Sequence, residues 1–450
     1  MLESLARLAA PLRVRPTAVT AVTVMGIKAG GALLSIAAFT LAARAMSASE
    51  FGQFAAWFNA MSFLAVAAVF GQDTLIARSW GEYNGRGEHG MAKQAYVFGW
   101  RVTVVSTTIF VAMLLLAAHY FSLVSDPAVL YAGAIFLFAQ TLLHFSSHST
   151  RAIAGVTVAE LNRELTWRIV LVVVAVATFR HGFGAALFFV GAAAGMVAAV
   201  FFQQLATRPH VASLPLPPTS GIGRAAWFGR ARSMWLSAMV EAASQYMEVI
   251  LISQLTSPEV AGEYFVAARV AGVFPMVATG LHAYSLGQCA HLFYSGQIAR
   301  LQQILRSIAM TTLVFLLPLL AGVVFAGPSI LAIFGEHYVA AYPTLVALTF
   351  ASFVVSLTGP APGLLLTFGH EQLYSRIITI ASVLRIALSA FLATRYGALG
   401  AACGWAVVNA PLAVGLAILC RVLCRVEPSI LGIVWPTRLA REPGPRTREA

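Results

Sequence analysis

The residues best suited to chemistry in this chain are polar and charged side chains set within long apolar runs. The clearest set follows one face of the segment 231–254: Ser233, Ser237, Glu241, Ser244 and Glu248. The two carboxylates are one heptad apart, or roughly 10 Å along a helix. In an apolar site such a carboxylate favours a bound proton or a cation such as Na⁺. The other reading is a structural ion pair with an Arg or Lys on a neighbouring helix.

Basic residues also lie within the apolar runs: Lys28, Arg101, Arg168, Arg269 and Arg385. A charge at mid-membrane costs roughly 2.5 to 3.5 kcal/mol on insertion scales, so each needs a wet cavity or a partner. Lys28 and Arg385 are too deep to reach the interface easily, and we expect them to contact a ligand. Arg101 and Arg168 lie nearer the cytoplasmic ends of their segments, where snorkelling and a cavity role both remain open.

A second polar face lies on the segment 129–150: Gln140, His144, Ser147, His148 and Arg151. Two histidines at i and i+4 can chelate a metal, but no third ligand accompanies them. We therefore expect hydrogen-bonding residues that line a cavity, without a metal or other cofactor.

These side chains must be positioned by membrane helices. The chain is 59% hydrophobic and 10% charged, with a mean hydropathy of +0.81, whereas soluble proteins carry roughly 25% charged residues. The apolar runs exceed the roughly ten-residue strands of a membrane barrel. We expect an all-α polytopic membrane protein with about 12 transmembrane helices. The predicted spans are 17–43, 53–73, 96–118, 129–150, 163–179, 183–206, 231–254, 261–287, 302–326, 341–367, 373–394 and 397–420.

The sequence carries an internal duplication. Met46-Ser-Ala-Ser-Glu50-Phe-Gly52 is echoed by Leu255-Thr-Ser-Pro-Glu259-Val-Ala-Gly262, about 210 residues later. Two further pairs of strings recur at similar offsets. Six spans per half would place both halves in the same direction, related by a pseudo-twofold axis along the membrane normal.

The duplication divides the chain into two lobes. We predict a six-helix bundle over 1–206, a cytoplasmic linker over 207–230, a second bundle over 231–425 and a basic, mobile cytoplasmic tail over 426–450. Most of the 29 lysines and arginines fall on one side of the predicted spans, which indicates that both termini are cytoplasmic. Basic loops beside anionic lipid also account for the net charge of +12, without a nucleic acid partner.

Several function classes lack support in the sequence. There is no phosphate-binding loop of the Gly-x4-Gly-Lys-Ser/Thr type, and no large outer loop that could carry catalytic acids. Nothing resembles a nucleophile with its base, so we do not expect an enzyme.

Four strings resemble one family: Arg44-Ala-Met-Ser-Ala-Ser-Glu-Phe-Gly52, Gly71-Gln-Asp-Thr-Leu-Ile-Ala-Arg78, Gly262-Glu-Tyr-Phe-Val-Ala-Ala-Arg269 and Phe334-Gly-Glu-His-Tyr338. They are similar to motifs of polysaccharide biosynthesis proteins, the Wzx-type oligosaccharide-lipid flippases. These belong to the multidrug/oligosaccharidyl-lipid/polysaccharide (MOP) exporter superfamily. The resemblance extends over most of the chain to about residue 420.

The resemblance implies a two-lobed bundle in the bacterial inner membrane. Such a protein moves an undecaprenyl-diphosphate-linked oligosaccharide across the membrane by alternating access, for O-antigen, lipopolysaccharide or exopolysaccharide assembly. Lys28, Arg269, Arg385 and Arg101 would be cavity cations for the diphosphate. Glu241 and Glu248 would couple H⁺ or Na⁺ or form structural pairs, and Gln140, His144, His148, Ser237 and Ser244 would be cavity polar residues. A polysaccharide polymerase and a chain-length protein are the expected protein partners.

Alternatives remain at this stage. A cation-coupled drug exporter of the same superfamily would need carboxylates in the first-half cavity, whereas the deep charge of span 1 is Lys28. A lipid II flippase is a neighbouring possibility, although such relatives have fourteen spans. A membrane enzyme or a non-transporting component of a polysaccharide assembly complex would not depend on the deep charges for export.

Overall fold

The computed structural model describes residues 16–121, 126–215 and 224–433, and within these ranges it is helical, without strands. The helices of the first half are α1 Pro16–Ala45, α2 Ala48–Val69, α3 Gln72–Gly85, α4 His89–Phe121, α5 Pro127–Ile153, α6 Val156–Leu161, α7 Trp167–Gly182 and α8 Ala185–Ala212. Those of the second half are α9 Arg224–Leu255, α10 Pro258–Ala271, α11 Val273–Tyr294, α12 Ile298–Ala332, α13 Tyr342–Leu357, α14 Ala361–Thr367 and α15 Glu371–Cys424. A π-helical segment, Asn162–Thr166, joins α6 to α7, and 3₁₀ turns cover Glu336–Ala341 and Ile430–Ile433.

The predicted all-α fold with about 12 spans in two lobes is confirmed. Within the described residues, 9 helical segments are long and apolar enough to cross a membrane. The longest of them, α15, contains two crossings, because Tyr396 and Gly397 leave helical geometry, with Gly397 at φ 58°. Helices α7 and α9 supply the spans predicted at 163–179 and 231–254.

Both copies of the duplicated segment begin a helix. Ser47 caps α2 in a capping box: its hydroxyl accepts from the Glu50 amide at 3.3 Å, and its own amide donates to the Glu50 carboxylate at 2.9 Å. Ser257 caps α10 in the same way, accepting from the Val260 amide at 3.4 Å. Each copy therefore turns the chain from one span into the next.

The two copies also pack against each other, and this contact joins the lobes at one end of the bundle. A Cβ built on Gly52 would lie 1.7 Å from the Pro258 carbonyl oxygen, and one on Gly262 would lie 3.4 Å from the Gly52 Cα. Glycine at position 52 is thus required by the close approach of α2 and α10.

An aromatic cluster lies below this glycine contact. The ring centroids of Phe51 and Phe265 are 5.9 Å apart, those of Phe39 and Phe265 are 5.1 Å apart, and those of Phe54 and Phe188 are 4.6 Å apart. Phe51, Phe54, Phe188 and Phe265 are buried. Because the rings come from both halves of the chain, they close the space between the lobes at the end that carries the duplicated turns.

The helices reach further into the predicted linker than expected. Helix α8 continues to Ala212 and α9 begins at Arg224, so helix occupies most of 207–230. Residues 216–223 of the linker and 434–450 of the tail lie outside the described residues.

Residues 426–433, the first part of the predicted tail, pack against the second half of the chain. Glu427 is buried; its amide donates to Gln302 Oε1 at 2.9 Å, and its carbonyl accepts from Gln302 Nε2 at 3.0 Å. Pro428 lies so close to Gly359, which has φ +71°, that a Cβ there would be 1.9 Å from the Pro428 carbonyl oxygen. The segment thus packs on α12 and on the break between α13 and α14.

Candidate functional site

A cavity of about 260 Å³ lies between the lobes, and its lining is mainly polar. The first half contributes most of the walls through α1, α2, α5, α7, α8 and the π-helical segment, and α9 and α10 contribute the remainder. The polar lining residues are Ser35, Ser62, Gln140, His144, Arg163, Glu164, Arg168, Gln245, Tyr246 and Arg269.

The cavity extends from the middle of the bundle toward the end opposite the duplicated turns. Counting 1.5 Å per residue from those turns places Ser35 and Arg269 roughly 15 Å along their helices, and Arg163 roughly 28 Å from the α7–α8 turn. The hydrocarbon core is about 30 Å thick. Ser35 and Arg269 therefore lie near the middle of a layer of this thickness, whereas Arg163 lies near one edge of it.

The π-helical segment carries two of the charged lining residues, Arg163 and Glu164. Its wider turn leaves backbone carbonyls that side chains satisfy. Trp167 Nε1 donates to the Arg163 carbonyl at 2.8 Å, and an Arg168 guanidinium nitrogen donates to the Glu164 carbonyl at 2.5 Å. The same nitrogen lies 2.8 Å from the Glu164 carboxylate, and Arg168 Nε donates to Ser35 Oγ at 2.6 Å. Arg168 therefore fixes the π turn against α1.

Lys28 lies beside this cavity and is paired with carboxylates. Its ammonium nitrogen is 3.0 Å from Glu160 Oε2 and 3.9 Å from Glu164 Oε1. Glu160, whose side chain is 2% exposed, also pairs with Arg151. A buried carboxylate between two cations holds α1, α5 and α6 together. The charge of Lys28 is thus compensated within the first lobe, a partnership that the sequence did not reveal.

Arg163 and Arg269 form no salt bridge with a carboxylate among the described residues. Arg269 is enclosed by aromatic rings: its guanidinium carbon is 4.6 Å from the centroid of Phe265, 4.8 Å from that of Phe39 and 5.5 Å from that of Phe58. Such contacts stabilise a desolvated cation by about 2 kcal/mol. Its positive charge remains available to an anion in the cavity.

Arg385 lies outside the cavity lining, in an ion pair within the second lobe. Its Nε is 3.1 Å from Glu248 Oε1, with side chains 10% and 9% exposed, and a terminal nitrogen donates to the Ser244 carbonyl. The other Glu248 oxygen accepts from Tyr264 at 2.7 Å. This geometry corresponds to the structural pair, one of the two alternatives that the sequence left open for Glu248.

Of the other sequence-predicted residues, Gln140 and His144 line the cavity, and Gln140 exchanges hydrogen bonds with Ser62 at 3.2 to 3.3 Å. Arg101 is exposed on α4 and lines a separate groove. The remaining members of the set are outside the lining, although each is carried by α5 or α9: His148, Ser237, Glu241 and Ser244.

The residues that sequence reasoning missed are Arg163 and Glu164. They are the first two residues of the span predicted at 163–179, at its cytoplasmic end, and were not among the predicted cavity residues. The signal that could have found them is the dense polar run Glu160-Leu-Asn-Arg-Glu164. Within the described residues, no cluster of three or more His, Cys, Asp and Glu could hold a metal ion.

Solved structures provide close matches to this architecture. A multidrug resistance MATE family transporter of the MOP superfamily, in an inward-facing conformation, superposes with a TM-score of 0.73 at 12% identity, covering 90% of this chain and 98% of that one. The lipid II flippase MurJ, in an inward closed conformation, superposes with a TM-score of 0.67 at 14% sequence identity. The match covers 89% of this chain and 87% of that one. A MOP superfamily transporter from Pyrococcus furiosus superposes with a TM-score of 0.65 at 12% sequence identity, covering 90% of this chain and 94% of that one. That protein is described as having a binding pocket of reverse polarity, which suggests a different function.

No protein-family model and no curated protein sequence matches the chain. The structural matches extend over both lobes and nearly the whole length of each neighbour. The chain therefore has the fold of the MOP superfamily transporters.

Proposed function

We propose that this protein transports an anionic, lipid-linked substrate across the membrane, and that the substrate is a polyprenyl-diphosphate-linked oligosaccharide. The observation that carries the proposal is the charge of the interlobe cavity. Three arginines line it, Arg163, Arg168 and Arg269, against the single carboxylate of Glu164 among the described lining residues. The net positive charge favours an anion in this low-dielectric site.

The polarity of the lining suits the two parts of such a substrate. Arg163 and Arg269 face the cavity from opposite lobes and could hold one diphosphate between them. Gln140, His144 and Ser62 offer hydrogen bonds of the kind that sugar hydroxyls accept and donate. The lipid chain would remain in the bilayer.

Two of the fold neighbours are named as a lipid II flippase and a multidrug transporter. A cationic drug would need an unpaired carboxylate in the cavity, whereas Glu164 is engaged by Arg168 at 2.8 Å. The pairing favours the anionic substrate over the organic cation. Inner-membrane location and cytoplasmic termini are part of the proposal.

The test is transport in proteoliposomes with a fluorescent polyprenyl-diphosphate sugar, scored by protection from a membrane-impermeant quencher. Arg163→Gln and Arg269→Gln should each reduce the rate at least about 10-fold, the effect of removing one charged hydrogen-bonding partner. Arg269→Lys should retain part of the rate, because the charge remains but the planar fork is lost. Arg300→Gln is the matched control, since this exposed arginine on α12 contacts only Gln297 among the described residues.

Unchanged transport in both cavity variants would refute the assignment of the diphosphate site. Transport of a cationic dye by the wild type, abolished by Glu164→Gln and indifferent to Arg269→Gln, would favour the drug exporter instead.

Ion coupling is a separate part of the proposal. Glu248 is fixed by Arg385 and Tyr264, whereas Glu241 is exposed and makes no ion pair within the described ranges. Glu241 precedes Gln245, a cavity residue, by one helical turn on α9. If H⁺ or Na⁺ drives the cycle through this carboxylate, Glu241→Gln should abolish the gradient dependence of transport while leaving gradient-free exchange intact.

A further inference from the structure

A second groove, distinct from the central cavity, opens on the lipid-facing flank of the first lobe. Its volume is about 470 Å³ and its walls are largely apolar. Residues of α4 form one side, at positions four apart: Val97, Arg101, Val105 and Ile109. Val105 and Ile109 are 59% and 52% exposed in the protein alone, so in a membrane this side contacts lipid.

The floor of the groove is an aromatic contact between the lobes. Phe98 of α4 lies 5.1 Å from Trp227 and 5.2 Å from Phe228 of α9, measured between ring centroids. Phe70, which ends α2, lies 6.5 Å from Phe228. A molecule seated in the groove would therefore touch both lobes.

The groove holds polar groups at one end. Arg101 has no ion pair or hydrogen bond to any described residue. The Oε1 atom of Gln94, one helical turn before Phe98, is buried without a hydrogen-bond partner in the described part of the chain. An unpaired cation and an unpaired acceptor thus line the same groove, two helical turns or roughly 10 Å apart along α4.

The dimensions match one chain of a phospholipid. Along the axis of α4, Ile109 lies roughly 12 Å from Arg101 and roughly 18 Å from Val97. Half of the hydrocarbon core is roughly 15 Å thick. A head group at Arg101 would place an acyl chain along Val105 and Ile109.

We propose that this groove binds an anionic phospholipid of the leaflet facing the end opposite the duplicated turns. Its phosphate pairs with Arg101, and one acyl chain packs along α4 against the aromatic floor. Because the floor is shared by α4 and α9, the bound lipid stabilises the arrangement in which these lobes meet. The site is independent of the transported substrate.

The experiment measures lipid binding to the delipidated full-length protein by native mass spectrometry, with phosphatidylglycerol and phosphatidylethanolamine of identical acyl chains. The wild type should prefer phosphatidylglycerol. Arg101→Gln should weaken that lipid about 5-fold, the contribution of one basic residue near an anionic surface, and leave phosphatidylethanolamine little changed. Val105→Trp, which fills the groove, should weaken both lipids, and Arg300→Gln should change neither.

Three outcomes would overturn the proposal: equal affinity of the wild type for the two lipids, an Arg300→Gln effect as large as that of Arg101→Gln, or displacement of phosphatidylglycerol by glycerol phosphate alone. Displacement by undecaprenyl phosphate at equimolar concentration would assign the groove to the substrate's lipid chain instead. A companion measurement of thermal unfolding without lipid verifies that the variants are folded.

Discussion

The close approach of the duplicated turns gives the sharpest test of the fold. Replacing Gly52 with alanine places a Cβ 1.7 Å from the Pro258 carbonyl oxygen, whereas the same change at Gly262 leaves its nearest atom at 3.4 Å, an ordinary contact. Relief of the first clash requires α2 and α10 to separate by more than about 1 Å. Overpacking of this kind costs about 3 kcal/mol, and the alanine returns about 1 kcal/mol as a better helix former.

Gly52→Ala should therefore destabilise the contact between the lobes by about 2 kcal/mol. This lowers the ratio of molecules with the contact closed to molecules with it open by a factor of about 30. Gly262→Ala should be neutral or stabilising by up to about 1 kcal/mol. The assay is maleimide labelling of Ser49→Cys, a half-buried position beside the contact, in a background where the 4 native cysteines are replaced by alanine. If maleimide reacts with the cysteine at position 49 when the lobe contact is open, the labelling rate should be about 30-fold higher with Gly52→Ala than without it.

A thermal scan of the same proteins supplies the control for gross unfolding, with Gly52→Ala lowering Tm by about 2 to 5 °C. Indistinguishable labelling of the two glycine variants would refute the close packing of the duplicated segments. Faster labelling in Gly262→Ala alone would show that the two copies have been assigned the wrong positions in the contact.

Three further perturbations test the buried polar contacts. Arg385→Ala should destabilise the second lobe by about 3 to 5 kcal/mol, because Glu248 is left as a buried charge, and adding Glu248→Met should restore much of the loss in thermal scans. Glu160→Gln should lower Tm by leaving two cations without their shared carboxylate, and no loss of Tm would mean that this pairing is unimportant for stability. Gln302→Ala should cost about 1 to 3 kcal/mol by unpairing the Glu427 backbone, and hydrogen exchange should then accelerate in residues 426–433 while remaining unchanged in α2.

The fold could be predicted from the sequence because each membrane helix can be recognised from its own run of apolar residues. A run of about 20 apolar residues must form a helix wherever it packs, and the duplication fixed the grouping of spans before any contact was known. The break at Gly397 coincides with the predicted boundary between the spans 373–394 and 397–420. The order of residues 426–433 was not predictable, since Glu427 is buried only through a partner, Gln302, that lies on another helix.

The site was predicted in part, and the misses share a cause. Depth within a span identifies which charges need a partner but not which partner each has. Arg269 and Lys28 both lie within predicted spans, yet Lys28 pairs with Glu160 while Arg269 contacts phenylalanine rings. Arg163 was placed at the cytoplasmic end of the fifth predicted span and not in the cavity, because a π turn cannot be anticipated from the spacing of apolar residues.

The two lobes carry similar turns from the duplicated segment but differ in their charged residues. The first lobe contributes Arg163 and Arg168 to the cavity; the second contributes Arg269 and neutralises its other deep cation, Arg385, with Glu248. Without an anion, the cavity arginines of the two lobes repel one another across a low-dielectric space. If the cavity binds a diphosphate as proposed, the anion would offset this repulsion and draw the lobes together.

On the proposed function, the substrate would thus stabilise the lobe arrangement that encloses it, and its release would restore the repulsion that separates the lobes. This coupling requires a cation on each side of the cavity. Arg269→Gln should then remove both the affinity for the anion and the effect of the anion on lobe separation. Arg269→Lys should retain the second effect better than the first, because repulsion depends on charge, whereas bidentate recognition depends on the guanidinium plane.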